Sequence, residues 1–176
     1  MSFRIRKGFL FPLGLLTLEI VALLVSCIVF HEPIGKCIIL STLVLPVLIL
    51  FLECLFRQTV LTEQGIETRK LLRRKQLNFT DLTAVETIQV KKRAFVTLCA
   101  GDEFLIVSNA YANFPLLIDG LLQRVPAAVV SEETAQMATN PPRKSSDIVS
   151  CWAAAALLAF LLYAQLKSGL PLLTQP

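Results

Sequence analysis

The sequence predicts a helical membrane protein with three spanning helices and one small α+β domain, an antiparallel sheet or barrel closed by a single C-terminal helix. Three observations predict it. Of 176 residues, 55% are hydrophobic and only 17% charged, with a mean hydropathy of +0.66; a water-soluble domain carries roughly a quarter charged residues. Apolar runs occupy residues 8–30, 37–56 and 148–166, each near the roughly 20 residues a helix needs to cross about 30 Å of hydrocarbon. The stretch between the second and third runs instead alternates apolar and polar residues in short segments, as strands do.

The first two runs form a transmembrane hairpin, residues 1–56. Their connection, His31-Glu32-Pro33-Ile34-Gly35-Lys36, is short and carries the proline and glycine of a tight break. Arg4, Arg6 and Lys7 precede the first span, Arg57 follows the second, and Trp152 and Tyr163 lie near the ends of the third, all residue types that anchor helices at a membrane surface. Lys and Arg number three before the first helix, one in the turn and about a dozen between Arg57 and Lys144, with Lys167 alone after the third span. The positive-inside rule then puts the N-terminus and the middle domain in the cytoplasm, and the turn and C-terminal tail (residues 167–176) outside.

In the middle domain, residues 57–125, strands are expected at Thr59–Thr62, Ile66–Leu72, Gln76–Phe79, Val85–Val90, Ala94–Ala100 and Phe104–Ser108, with turns over Glu63-Gln64-Gly65, Arg73-Arg74-Lys75, Lys91-Lys92-Arg93 and Gly101-Asp102. A helix follows, capped by Asn113 with Pro115 in its first turn; Phe114, Leu117, Leu121 and Val125 share the face that plugs the sheet. Residues 126–147, rich in Ala, Ser, Glu, Thr and Pro, are expected to be a flexible linker.

Leu61-Thr62-Glu63-Gln64-Gly65-Ile66, Phe79-Thr80-Asp81-Leu82-Thr83-Ala84-Val85 and Asn113-Phe114-Pro115-Leu116-Leu117 together resemble the pleckstrin-homology-like (PH-like) domains of bacteria that follow a transmembrane hairpin. The resemblance covers some seventy residues and implies a fold, a bacterial inner membrane and an interaction role rather than a reaction. Chemistry of the catalytic kind is not expected. The single histidine, His31, lies in the turn, and no G-x-S-x-G, H-E-x-x-H, P-loop or G-x-G-x-x-G pattern occurs. No cofactor or metal is expected, and the five cysteines lack paired spacing.

Two sets of residues are candidate sites. Arg69, Lys70, Arg73, Arg74 and Lys75 surround one turn and Lys91, Lys92 and Arg93 another. They are expected to contact anionic headgroups or a protein partner, each cation near an anionic leaflet contributing on the order of 1 kcal/mol. Nucleic acid is not expected, because a stacking platform is lacking. The second set lies within the bilayer. Glu19 sits mid-helix, where a charged carboxylate costs several kcal/mol, and in a hairpin it falls opposite Pro46. Proline there leaves the Thr42 carbonyl without its helical donor. A protonated Glu19 is expected to bond that carbonyl or the Thr42 hydroxyl and lock the hairpin, so that leucine at 19 loosens it.

Leu24-Val25-Ser26-Cys27 matches a lipobox, but Glu19 interrupts the apolar run before it and no polar spacer follows. Ala153–Ala156 and Ala159 make the third helix suited to close packing, against the hairpin or another protein, whether a partner or a second copy. The functional expectation is a non-catalytic scaffold that presents its domain to a protein partner or membrane complex. The alternatives are an anionic-lipid module and an accessory subunit of a transporter resting on Glu19 and the alanine-rich third helix.

Overall fold

The computed structural model of the chain describes residues 1–139 and 146–173. Along them run β1 (Ser2–Arg4), α1 (Lys7–Val29), α2 (Ile34–Phe56), β2 (Gln58–Leu61), β3 (Gly65–Arg69), β4 (Arg74–Asn78), β5 (Ala84–Val90), β6 (Arg93–Ala100), β7 (Glu103–Ser108), α3 (Phe114–Leu122), α4 (Glu132–Thr139) and α5 (Ser146–Leu173). They divide into two units. One comprises Met1–Arg6 and Phe56–Ser145, the other Lys7–Leu55 and Ser146–Pro176.

The first unit is mixed α+β. Its strands form two antiparallel sheets, β1-β2-β3-β4 and β5-β6-β7, where a single sheet or barrel of about six strands was expected. The seventh strand is β1. Ser2 pairs with Val60, Phe3 with Thr59 and Arg4 with Gln58, so the apolar hairpin is an insertion between two neighbouring strands of this unit. Residues 1–6 therefore do more than anchor a helix. Phe3 and Ile5 are buried at 7% and 4% exposure, and the Arg4 carbonyl accepts from the Ala112 amide at 2.7 Å. The signal was present as Ser-Phe-Arg-Ile-Arg, a strict period of two.

The core is aliphatic and aromatic: Leu61, Ile66 and Leu77 from the larger sheet, Val85, Val96, Leu98 and Val107 from the smaller, with Tyr111, Phe114, Leu117, Ile118 and Leu121 laid over them. Pro115 stands in the first turn of α3, and the predicted face of that helix is the buried one. Asn113 does not cap it by its side chain. It takes a left-handed backbone, φ 54°, which asparagine tolerates better than most residues. Part of the expected flexible linker is ordered: Val130 bridges Val85, and α4 buries Thr134, whose hydroxyl lies 2.8 Å from that of Thr87. Apolar Val129, Val130 and Met137, spaced among polar residues, supply a face that composition averaging hid. Residues 140–145 of the linker and 174–176 of the tail lie outside the described residues.

Lys91 lies in the two-residue turn joining β5 to β6 with φ 56°. A side chain in that conformation costs roughly 1–2 kcal/mol, while glycine pays more entropy on folding. Lys91→Gly is therefore expected to stabilise the first unit by about 0.5–1 kcal/mol, read as a higher midpoint in urea. Asn109, whose amide donates to the Lys92 carbonyl at 2.9 Å, holds the turn in both versions.

The second unit contains three helices, each long and apolar enough to cross a membrane, Lys7–Val29, Ile34–Phe56 and Ser146–Gly169. This fits an integral membrane protein. The third helix runs from Ser146 to Leu173, overrunning residues 148–166 into what was expected as tail. The close pair is α1 with α5. Near their first turns Phe11 and Trp152 rings sit 5.9 Å apart; at the far ends Phe30 lies over Gly169, where a Cβ would come within 2.6 Å of the ring. The two helices thus run parallel. Ala155, 1% exposed, and Gly169 give α5 the small surface that allows the approach. By contrast α2, lined with Leu, Ile and Val, buries no residue.

Candidate functional site

Strand pairing decides what the first basic cluster can do. Arg69 and Arg74 are direct cross-strand partners, an arrangement that repels unless an acid lies between. Glu67, two residues from Arg69 on the same face, is that acid. Its Oε1 accepts from Arg69 Nε at 2.8 Å and Arg74 Nε at 2.7 Å, and its Oε2 from a second Arg69 nitrogen at 3.2 Å. The hydrogen bond from Arg69, with the charges of Arg69 and Arg74, holds the Glu67 carboxyl below the usual carboxylate range against the opposing effect of desolvation. Lys75 stands over the Phe104 ring at 5.1 Å and 3.9 Å from Glu103. Among the described residues Lys70 and Arg73 make no ion pair.

The second cluster, Lys91, Lys92 and Arg93, lies elsewhere. Lys75 meets Glu103, which pairs with Ala100 at one end of β6, while Arg93 starts β6 at the other. Seven residues of strand separate those ends, about 23 Å. The eight cations named from the sequence do not converge on one headgroup.

Because Glu67 is depressed in the folded state, its contribution to stability is present above the unfolded carboxylate range and is lost as pH falls through the folded value. Glu67→Gln is accordingly expected to lower the melting temperature of the first unit at neutral pH and to flatten its decline on acidification. It also frees both arginines, so binding to anionic vesicles, measured by flotation, should rise.

Alternation assigns Val85, Ala94, Val96, Leu98, Leu105 and Val107 to the core side of the smaller sheet. The other side should be polar. Beside Glu86, Arg93, Thr97 and Ser108 it carries Ile88 and Val90 on β5 and Phe104 and Ile106 on β7, exposed at 57%, 56%, 56% and 42%, with Phe95 and Cys99 half-buried between them. The register joins them into one surface: Ile88 opposes Phe95, Cys99 opposes Phe104 and Thr97 opposes Ile106. Sequence reading passed over these residues, although Phe104-Leu105-Ile106-Val107 is apolar at every position, the pattern of a strand covered on both faces.

Within the second unit, Glu19 is 7% exposed and its Oε2 is buried with no hydrogen-bond partner. The expected lock is absent. The Thr42 hydroxyl is donated to the Ile38 carbonyl at 2.9 Å, one turn back along its own helix, and both Thr42 and Pro46 are exposed. Cys27 of the lipobox-like sequence is fully buried inside α1. Among the described residues no group of three or more His, Cys, Asp or Glu could hold a metal ion. Compared with family models, curated proteins and solved structures, the chain matches none.

Proposed function

We propose that the chain is a non-catalytic, membrane-anchored scaffold whose first unit is a PH-like domain that binds a protein partner. One observation carries this reading: the outer face of β5–β7, where Ile88, Val90, Phe104 and Ile106 are exposed together on a face that also holds Glu86 and Arg93. Contiguous apolar surface on a folded domain marks an interaction site, and the pairing of Thr97 with Ile106 and Cys99 with Phe104 holds these residues side by side. The division of seven strands into four and three, followed by the apolar helix α3, supports the PH-like assignment. The distribution of Lys and Arg supports a cytoplasmic location for this domain, with the turn at His31 outside.

The anionic-lipid reading has less behind it, because Glu67 holds two of the cations and the clusters lie at opposite ends of β6. The transporter-subunit reading rested on Glu19 and the alanine-rich third helix, and Glu19 is buried within its own unit. A photo-activated cross-linker placed at Ile106 and, separately, at Arg73 of the full chain in native membranes separates the candidates. Protein adducts at Ile106 that vanish with an added Ile88→Glu change are expected. Lipid adducts at Arg73 with none to protein at Ile106 would favour the lipid module.

A further inference from the structure

The second unit holds a cavity of about 570 Å³ beside the α1–α2 turn, between α1, α2 and α5. That is the size of a pocket for one small ligand. Its lining changes character with depth. At the turn stands an ion pair, Lys36 Nζ to Glu32 Oε1 at 3.1 Å, both side chains partly exposed. Ser168 lies on the facing wall, its hydroxyl donated to the Gln165 carbonyl at 3.0 Å. One turn deeper comes the Gln165 side chain, 9% exposed, whose Nε2 is shut from water and has no acceptor. Beyond it the walls are Leu23, Leu40 and Leu161. At 1.5 Å per residue, Gln165 lies about 4.5 Å past Ser168, and Leu161 about 6 Å further.

Charge pair, then hydrogen-bond donor, then hydrocarbon is the order of chemistry along a phospholipid: ionic head, ester carbonyls, acyl chain. The charged lining is balanced, one carboxylate and one ammonium. A head of net negative charge would satisfy Lys36 but set its phosphate against Glu32; a zwitterionic head meets both. Glu32 is an acceptor that needs N–H donors to form a charge-assisted hydrogen bond, which a primary ammonium has and a trimethylammonium lacks.

We propose that this cavity binds one zwitterionic phospholipid bearing a primary ammonium. The phosphate rests on Lys36 and the ammonium on Glu32, the Gln165 side chain turns its unpartnered amide to an ester carbonyl, and the acyl chain lies against Leu23, Leu40 and Leu161. The bilayer supplies the ligand, and the site is separate from the apolar sheet face of the first unit.

The test is native mass spectrometry of the full chain in mild detergent, titrated with phosphatidylethanolamine, phosphatidylcholine and phosphatidylglycerol of identical acyl chains. One phosphatidylethanolamine should bind at least about tenfold more tightly than either other lipid, a difference of about 1.4 kcal/mol. Ala164→Phe, which fills the cavity, should abolish that adduct. Gln165→Leu should weaken it about tenfold, and Glu32→Gln, at the exposed rim, should erase the preference over phosphatidylcholine. Fluorescence of Trp152, the only tryptophan in the chain, reports whether each variant keeps α1 against α5. Equal affinity for the three lipids, or a preference for phosphatidylglycerol, overturns the proposal. So does undiminished phosphatidylethanolamine binding in Ala164→Phe. Should Ala164→Phe or Gln165→Leu disturb Trp152, the rim variant decides: a preference that survives Glu32→Gln also overturns it.

Discussion

Alanine at Gly65 is expected to destabilise the first unit by about 3 kcal/mol, the upper range for forcing extra atoms into a packed site. The Cβ would run into the Leu77 carbonyl oxygen and come within 3.1 Å of the Asn78 Cα, both backbone atoms of the partner strand. No rotamer change relieves a collision with backbone, so β3 and β4 must separate where Gly65 pairs with Asn78. The same residue closes the turn before β3. The Thr62 hydroxyl donates to the Gly65 carbonyl at 2.8 Å and accepts from the Gly65 amide at 3.1 Å, while Phe79 N–H bonds the Gln64 carbonyl at 2.9 Å. Thr-x-x-Gly is therefore a physical unit, with threonine tying the turn and glycine letting the neighbouring strand approach. Hydrogen exchange should show faster labelling across residues 58–78 in Gly65→Ala. Gly35→Ala, at a helical position with nothing within 4 Å, should leave exchange there unchanged. Equal protection in Gly65→Ala and the parent chain would remove this account of the motif.

Leucine at Glu19 is expected to stabilise the helical unit by about 1–3 kcal/mol, because it removes a buried polar group that has no partner. The sign is opposite to the one the sequence suggested. A lock onto Thr42 would make Glu19 stabilising, and leucine would then loosen the helices. The structure gives the Thr42 hydroxyl to Ile38 and leaves Glu19 Oε2 unbonded, so nothing is lost on removing it and apolar contact is gained. Glutamine keeps a polar group in the same place and should be nearly neutral. Thermal unfolding in detergent followed by Trp152, whose ring is tilted against that of Phe11 across the α1–α5 contact, measures this directly. A lower midpoint for Glu19→Leu would mean that Glu19 has a partner after all.

Local signals carried much of the fold. Period-two alternation and two-residue turns located six strands within a residue or three of their ends. β3 stops at Arg69 instead of Leu72 because Lys70 turns back, its amide bonding the Arg73 carbonyl at 2.8 Å, which leaves Leu72 91% exposed at the tip. β1 escaped notice because its arginines also suit the membrane-anchoring explanation, and alternation over so few residues has many readings. The candidate site fared worse. Basic turns are conspicuous in a sequence, but whether cations converge depends on strand length and register. The outer face of β5–β7 is invisible until one side of each strand is known to be covered.

Composition, charge distribution and run length by themselves determined three apolar helices and an intervening α+β region, since these follow from hydrophobicity and chain geometry summed over many residues. Tertiary structure alone decided that residues 2–4 complete the sheet, that α5 is the close partner of α1, that Glu67 sequesters two arginines, and that Gln165 lines a cavity while its Nε2 is buried without an acceptor. Each of these depends on atoms distant in sequence meeting within a few ångströms, and short-range patterning holds no information about such distances.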